Sequence, residues 1–154
     1  MTSKTLIYCS AQLSLIVFFQ SGYAQSNDVP NGWKAFAKVK FEPRPMEGFE
    51  QLMLVPQFDE RITALEGKQV ELKGFVMPFD YGDRPLVILS KYPYSSCFFC
   101  GAAGPESVAE VYFKDKPKDF EGDEQITIVG KLRLNVEDVQ KMNFILEDSK
   151  VVDH

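Results

Sequence analysis

Two segments of the chain repeat one alternating pattern around a central glycine, and this repeat constrains the fold most. QVELKGFV, residues 69–76, and QITIVGKL, residues 125–132, align without a gap, and each has glycine at its sixth position, Gly74 and Gly130. Apolar residues that recur with period two indicate strands with one buried face. A glycine inside such a strand marks a bulge or a sharp bend, which a small barrel needs at its corners. The repeat therefore predicts two long, bent strands of one barrel.

Three further segments read as strands, which gives five between residues 69 and 152. They are separated by a turn at 79–84, a cysteine-containing loop at 91–106 and a charged loop at 114–124, and a helical turn is expected at 136–142. Five strands, of which the first and fourth are bent at glycine, resemble an OB-fold. A small open β-sandwich would fit the same pattern. The predicted strands are 69–77, 85–90, 107–113, 125–135 and 143–152.

The segment before the barrel predicts one strand and one short helix. Residues 33–41 alternate apolar residues with lysines, which indicates a strand that the prolines at 43 and 45 end. Phe58, Ile62 and Leu65 share a helical face, and Gly67 is placed to stop that helix. The predicted fold class is mainly β: a small five-stranded OB-like barrel with one or two short helices and an N-terminal strand extension, forming a single domain over 33–154.

The first 24 residues read as a secretory signal peptide that does not belong to the domain. Lys4 precedes an apolar stretch, residues 6–19, and small residues stand at Gly22 and Ala24. Polar residues interrupt that stretch, which is shorter than the roughly 20 apolar residues of a membrane span. Residues 25–32 read as a flexible N-terminus. We therefore expect export, into the periplasm of a Gram-negative bacterium or as a secreted protein, with no stable membrane insertion after the leader is removed.

Charge restricts the partners of the exported chain. The full chain carries a formal net charge of −5, and loss of a leader with one lysine and no acidic residue makes it −6. An acidic protein without a basic stripe repels phosphate backbones, so nucleic acid is not expected as a partner. Another exported protein or a membrane protein is the expected partner.

The stretch SSCFFCGAAGPE, residues 95–106, carries the candidate chemistry. Cys97 and Cys100 are the two cysteines that remain after the leader takes Cys9. A Cys-x-x-Cys pair supports a redox dithiol, half of a zinc or copper(I) site, or a structural disulfide, and two buried free thiols are the plainest alternative. Glu106 is the nearest carboxylate that could join the sulfurs, while Gly101, Gly104 and Pro105 shape the loop. A thioredoxin-like reaction is disfavoured, because the chain has no βαβ pattern and GAAGPE is a poor helix.

Four aromatic residues crowd the same loop: Tyr92, Tyr94, Phe98 and Phe99. They could fold back over the mouth of the barrel, or they could present a surface to a partner, because exposed aromatic patches mark binding sites.

Beyond these patterns, a resemblance covers residues 33–152. Trp33, LEGKQVELKGFVMP and ILSKYPYSSCFFCGAAGPESVAEVYF resemble a family of small exported bacterial proteins of unknown function, in which an OB-like β-barrel carries a cysteine loop between its second and third strands. The resemblance implies that Cys97, Cys100, Gly101, Gly104, Pro105 and Glu106 are the positions to carry over. Relatives with histidine in place of the second cysteine favour a metal ion over redox work.

The sequence therefore predicts an exported, non-enzymatic binding module. Its 91–106 loop would bind a metal ion, zinc or copper, or a protein partner. The alternative function is that of a thiol-disulfide oxidoreductase that uses Cys97 and Cys100.

We expect the leader to be cleaved between Ala24 and Gln25, because small residues flank the end of its apolar run. The intact mass of the protein purified from its native compartment checks this expectation. A mass that still contains residues 1–24, or a lipid on Cys9, would contradict it.

Overall fold

The computed structural model describes residues 29–115 and 119–152 of the 154-residue chain. The predicted leader, residues 25–28 of the predicted flexible N-terminus and the C-terminal His154 lie outside the described residues. Within the described part of the chain, no helix is long and apolar enough to cross a membrane.

Seven strands, two short helices and three 3₁₀ turns make up the described structure, which is mainly β as predicted. In chain order the elements are α1 (Gly32–Phe36), β1 (Lys40–Arg44), β2 (Met53–Gln57), α2 (Glu60–Thr63), β3 (Gln69–Val76), β4 (Leu86–Ser90), 3₁₀ turns at Tyr94–Ser96, Phe98–Cys100 and Pro105–Ser107, β5 (Val108–Phe113), β6 (Gln125–Leu134) and β7 (Phe144–Val151).

Five strands close into a barrel in the order β3-β4-β5-β7-β6, and β6 pairs back with β3. The β5–β7 pair is parallel and the other pairs are antiparallel. The OB-like barrel is therefore confirmed, and each predicted barrel strand agrees with the structure to within one residue at either end. The predicted strand extension overlaps the structure only at residues 40 and 41, in β1, which continues through Pro43 and pairs with β2, a strand that the sequence did not predict, in a separate two-stranded ribbon.

The two glycines of the repeat lie where neighbouring strands approach most closely. β3 and β6 pair with each other, so that Gly74 faces Ile126 and Gly130 faces Val70. A Cβ on Gly74 would overlap the carbonyl oxygen of Ser90 in β4. A Cβ on Gly130 would overlap the Ser149 hydroxyl of β7, beside a register shift in the β6–β7 pair. Both positions need glycine because no space remains for a side chain.

Residues 33–36 belong to a helix and residues 37–39 to no strand, so the strand predicted over 33–41 is wrong except at residues 40 and 41. The Asn31 side chain accepts a hydrogen bond from the Lys34 N–H, which caps α1 at its start. Trp33 and Phe36, three positions apart, both face the core, and the Phe36 ring stacks on Phe144 of β7 at 4.0 Å. Helical spacing buries these two large rings together, whereas a strand would place them on opposite faces.

The predicted helical turn at 136–142 is also wrong, because the Asn135 side chain organises that segment. Its carboxamide oxygen accepts from the Asp138 N–H, and its amide nitrogen donates to the carbonyls of Asp138, Lys141 and Met142. These bonds compete with helical bonds for the same backbone groups. The short helix predicted around residues 58–65 is present as α2, but it ends at Thr63 with Ala64 as its C-cap, so Gly67, with a φ of 74°, does not end it.

Replacing Gly74 with alanine tests the close approach of β3 to β4. We expect Gly74→Ala to lower the free energy of unfolding by about 1–3 kcal/mol, because the added methyl group forces the Ser90 carbonyl away. The exposed neighbour Lys73 supplies the matched control, since Lys73→Ala should stay within about 0.5 kcal/mol. Chemical denaturation measures both. Equal stability of the two variants would show that the barrel tolerates a side chain here.

Candidate functional site

The cysteine loop connects β4 to β5 as a chain of three 3₁₀ turns. The Lys91 N–H donates to the Ser107 carbonyl and closes the base of the loop. Cys97 has extended backbone and separates the first turn from the second, and Gly101 ends the second turn in the left-handed region. Pro105 starts the third turn and leads into β5. Gly101 thus supplies the positive φ that ends the second turn, and Pro105 occupies the first position of the third turn.

Cys97 is fully buried in a small apolar cluster on the outside of the barrel. It packs with Met77, which follows β3, and with Ile88 of β4, and the partly buried side chains of Phe75, Tyr81 and Met142 border the cluster. The Cys97 sulfur therefore anchors the loop to the barrel wall.

Cys100 is exposed, and its sulfur lies 4.0 Å from the Cys97 sulfur. This separation is about twice the length of a disulfide bond, so both cysteines are free. The Cys100 thiol donates a hydrogen bond of 2.9 Å to the Tyr94 carbonyl. Loss of hydration and the adjacent Cys97 sulfur raise the pKa of the Cys100 thiol. The pair thus has one accessible thiol, held in its protonated form, and one enclosed thiol.

The Glu106 carboxylate does not join the two sulfurs as a third metal ligand. Its carboxylate covers Gly104, where a Cβ would overlap it. Within residues 29–115 and 119–152, no group of three or more cysteine, histidine, aspartate or glutamate side chains could hold a metal ion. Of the ligands that the sequence predicts, the described residues therefore bring together the sulfurs of Cys97 and Cys100.

The loop aromatics lie at the surface and outside both buried clusters. Tyr92, Tyr94 and Phe99 are 39%, 42% and 39% exposed, and Phe98 is half-buried. Phe98 contacts Phe99 edge to face, and Phe99 contacts Phe79 in the same way at a centroid distance of 4.9 Å. The loop therefore presents aromatic rings to solvent beside Cys100.

Phe79 and Tyr81, which sequence reasoning assigned only to a turn, are part of this surface. The Tyr81 hydroxyl donates to the Met77 carbonyl and accepts from the Ile88 N–H, so it bridges the ends of β3 and β4. Burial raises the pKa of this phenol. Two aromatic residues within the six-residue turn could have indicated this surface from the sequence, because a turn that only faces water does not require aromatic side chains.

Comparison with known protein families, with characterised proteins and with solved structures found no match to this chain. The resemblance to a family of exported proteins therefore stays a prediction, and the candidate site depends on its own geometry.

The difference between the two thiols predicts selective alkylation of the reduced, metal-free protein. Iodoacetamide should modify Cys100 and leave Cys97 unmodified until the protein unfolds, because Cys97 is fully buried. The Cys100 rate should still be increasing with pH at pH 9, since only the thiolate reacts and its pKa is raised. Peptide mapping by mass spectrometry measures both rates. Equal rates at the two cysteines, or a Cys100 rate that levels off near pH 7, would contradict this assignment.

Proposed function

We propose that the chain is a binding module that holds a soft metal ion, zinc or copper(I), through Cys97 and Cys100. The supporting observation is the separation of 4.0 Å between the two sulfurs. Two thiolates on one tetrahedral zinc ion, at Zn–S distances of about 2.3 Å, lie about 3.8 Å apart. The loop therefore holds the sulfurs near the spacing of a shared ion without a change of fold.

Binding would require both thiols to lose their protons. The raised pKa of Cys100 opposes this loss in the metal-free protein. A coordinated thiol is deprotonated outright, however, because the charge of the ion dominates the local electrostatics. Metal affinity should therefore increase with pH, since binding releases protons.

Two ligands leave an ion with open coordination positions, which suits an ion that is passed between proteins. Structural zinc sites are closed by four protein ligands, whereas the described residues bring two sulfurs together. A partner would supply the remaining donors. The exposed rings of Tyr92, Tyr94 and Phe99 provide apolar surface for that partner beside Cys100. An exported or membrane protein in the same compartment fits the predicted leader.

The alternative function, thiol-disulfide exchange, has weaker support from the geometry. A reactive dithiol needs an accessible thiolate with a lowered pKa. Here the accessible thiol is Cys100, whose pKa is raised, and Cys97 is enclosed. Catalysis of disulfide exchange between a small dithiol and a test protein, at a rate above that of the free dithiol, would favour this alternative.

Metal titration of the reduced, metal-free protein tests the proposal. We expect one zinc or copper(I) ion per chain in competition with a chromophoric chelator, and at least a tenfold loss of affinity in Cys97→Ser and in Cys100→Ser. The exposed Ser96 in the same loop supplies the matched control, and Ser96→Ala should bind as the native chain does. Native protein that binds no more metal than the double cysteine variant would refute the proposal.

A further inference from the structure

The barrel leaves part of one strand edge open at the start of β4. The backbone of β4 bonds alternately to its two neighbours. Phe113 donates to the Pro85 carbonyl, and Lys91 donates to the Ser107 carbonyl, so the odd-numbered residues of β4 face β5. The even-numbered residues therefore direct their N–H and C=O groups toward β3.

β3 stops too early to pair with all of them. Met77 donates to the Ile88 carbonyl at 2.9 Å, and the Tyr81 hydroxyl accepts from the Ile88 N–H at 3.0 Å. If the pairing of β3 with β4 continued, Phe79 would lie opposite Leu86. Instead the Phe79 N–H donates a hydrogen bond to the Met77 carbonyl. Among the described residues, no hydrogen bond reaches the Leu86 backbone from the β3 side.

A cleft of about 240 Å³ borders Leu86 and the segment that follows β3. Its apolar lining comes from Val76, Met77, Pro78, Phe79, Tyr81, Leu86, Val87 and Phe120. Asp80, Arg84 and Asp119 supply its charged groups. The Arg84 guanidinium donates through Nε to the Tyr81 carbonyl.

We propose that this cleft binds an extended peptide segment of a partner protein, with one large apolar side chain inserted as an anchor. An extended peptide offers both a carbonyl and an N–H to a strand edge, which matches the open pair on Leu86. Its anchor would lie against Phe79, Tyr81 and Phe120. Peptides that add to a sheet edge gain affinity from backbone bonds and specificity from side-chain pockets.

The size of the cleft favours a side chain over a whole small molecule. Its volume of about 240 Å³ lies below the roughly 300–1,000 Å³ of pockets that enclose drug-sized ligands.

Charge further specifies the segment. Two carboxylates, Asp80 and Asp119, and one guanidinium, Arg84, line the cleft, so its charged side chains carry one more negative than positive formal charge. The whole chain carries a net charge of −5. A basic residue next to the anchor of the peptide would therefore be attracted both by the charged groups of the cleft and by the net negative charge of the whole chain.

This inference goes beyond the metal proposal and requires no metal ion. The two surfaces meet at Phe79, which lines the cleft and contacts Phe99 of the cysteine loop. A partner that fills the cleft would therefore lie next to Cys100.

Titration of the metal-free protein with N-acetyl-phenylalanine methylamide, followed by amide NMR, tests the inference. We expect saturable shifts at Phe79, Leu86 and Val87, and hydrogen exchange at the Leu86 amide that slows at least fivefold on saturation. N-acetyl-alanine methylamide should bind at least fivefold more weakly, because it has no anchor. The dipeptide N-acetyl-Phe-Lys methylamide should bind more tightly than N-acetyl-Phe-Glu methylamide.

Phe79→Ala should weaken binding of the phenylalanine probe at least fivefold. Phe49→Ala is the matched control, since Phe49 is a similarly exposed ring, 45% against 39%, and lies outside the cleft. Shifts that do not saturate, equal effects of the two variants, or a Leu86 amide already protected in the free protein would each overturn the inference. Metal binding measured on the same variants separates this failure from a failure of the metal proposal.

Discussion

The backbone of β3 passes within contact of the Ser90 carbonyl in β4, at a position where a side chain would collide with that carbonyl. Gly130 provides the equivalent close approach between β6 and β7. Because β3 and β6 pair with each other, the two close approaches belong to one continuous sheet. The path of β3 beyond Gly74, and with it the position of β4 and the cysteine loop, depends on these contacts.

β3 pairs with β4 over a short length and then leaves it, which creates both candidate binding features. Where β3 ends, the Tyr81 hydroxyl accepts the hydrogen bond from the Ile88 N–H and donates to the Met77 carbonyl. On the outer face of the same strand, Ile88 and Met77 form the cluster that encloses Cys97. Further back along β4, the Leu86 edge opens into the cleft. The early end of β3 thus accounts both for the buried Cys97 sulfur and for the open edge of β4 at Leu86.

Cys97 is buried and Cys100 is exposed, and this difference bears on whether the pair binds a metal ion or exchanges disulfides. Thiol exchange needs an exposed thiolate, and the exposed thiol here is stabilised in its protonated form beside a buried second sulfur. Metal coordination tolerates such a pair, because the ion itself removes the protons. The exposed aromatic rings next to Cys100 give the same loop an apolar surface.

The sequence by itself determined the five barrel strands, the need for glycine at 74 and 130, and the loop that carries Cys97 and Cys100, because periodicity, steric constraint and residue spacing are local properties. It failed at residues 33–36 and 136–142, where α1 packs its rings on Phe144 and the Asn135 side chain takes the backbone bonds of a turn. Only the tertiary structure decided which cysteine is buried, that Glu106 covers Gly104, and that Leu86 faces a cleft. Those outcomes depend on which distant segments meet, and spacing along the chain does not encode such contacts.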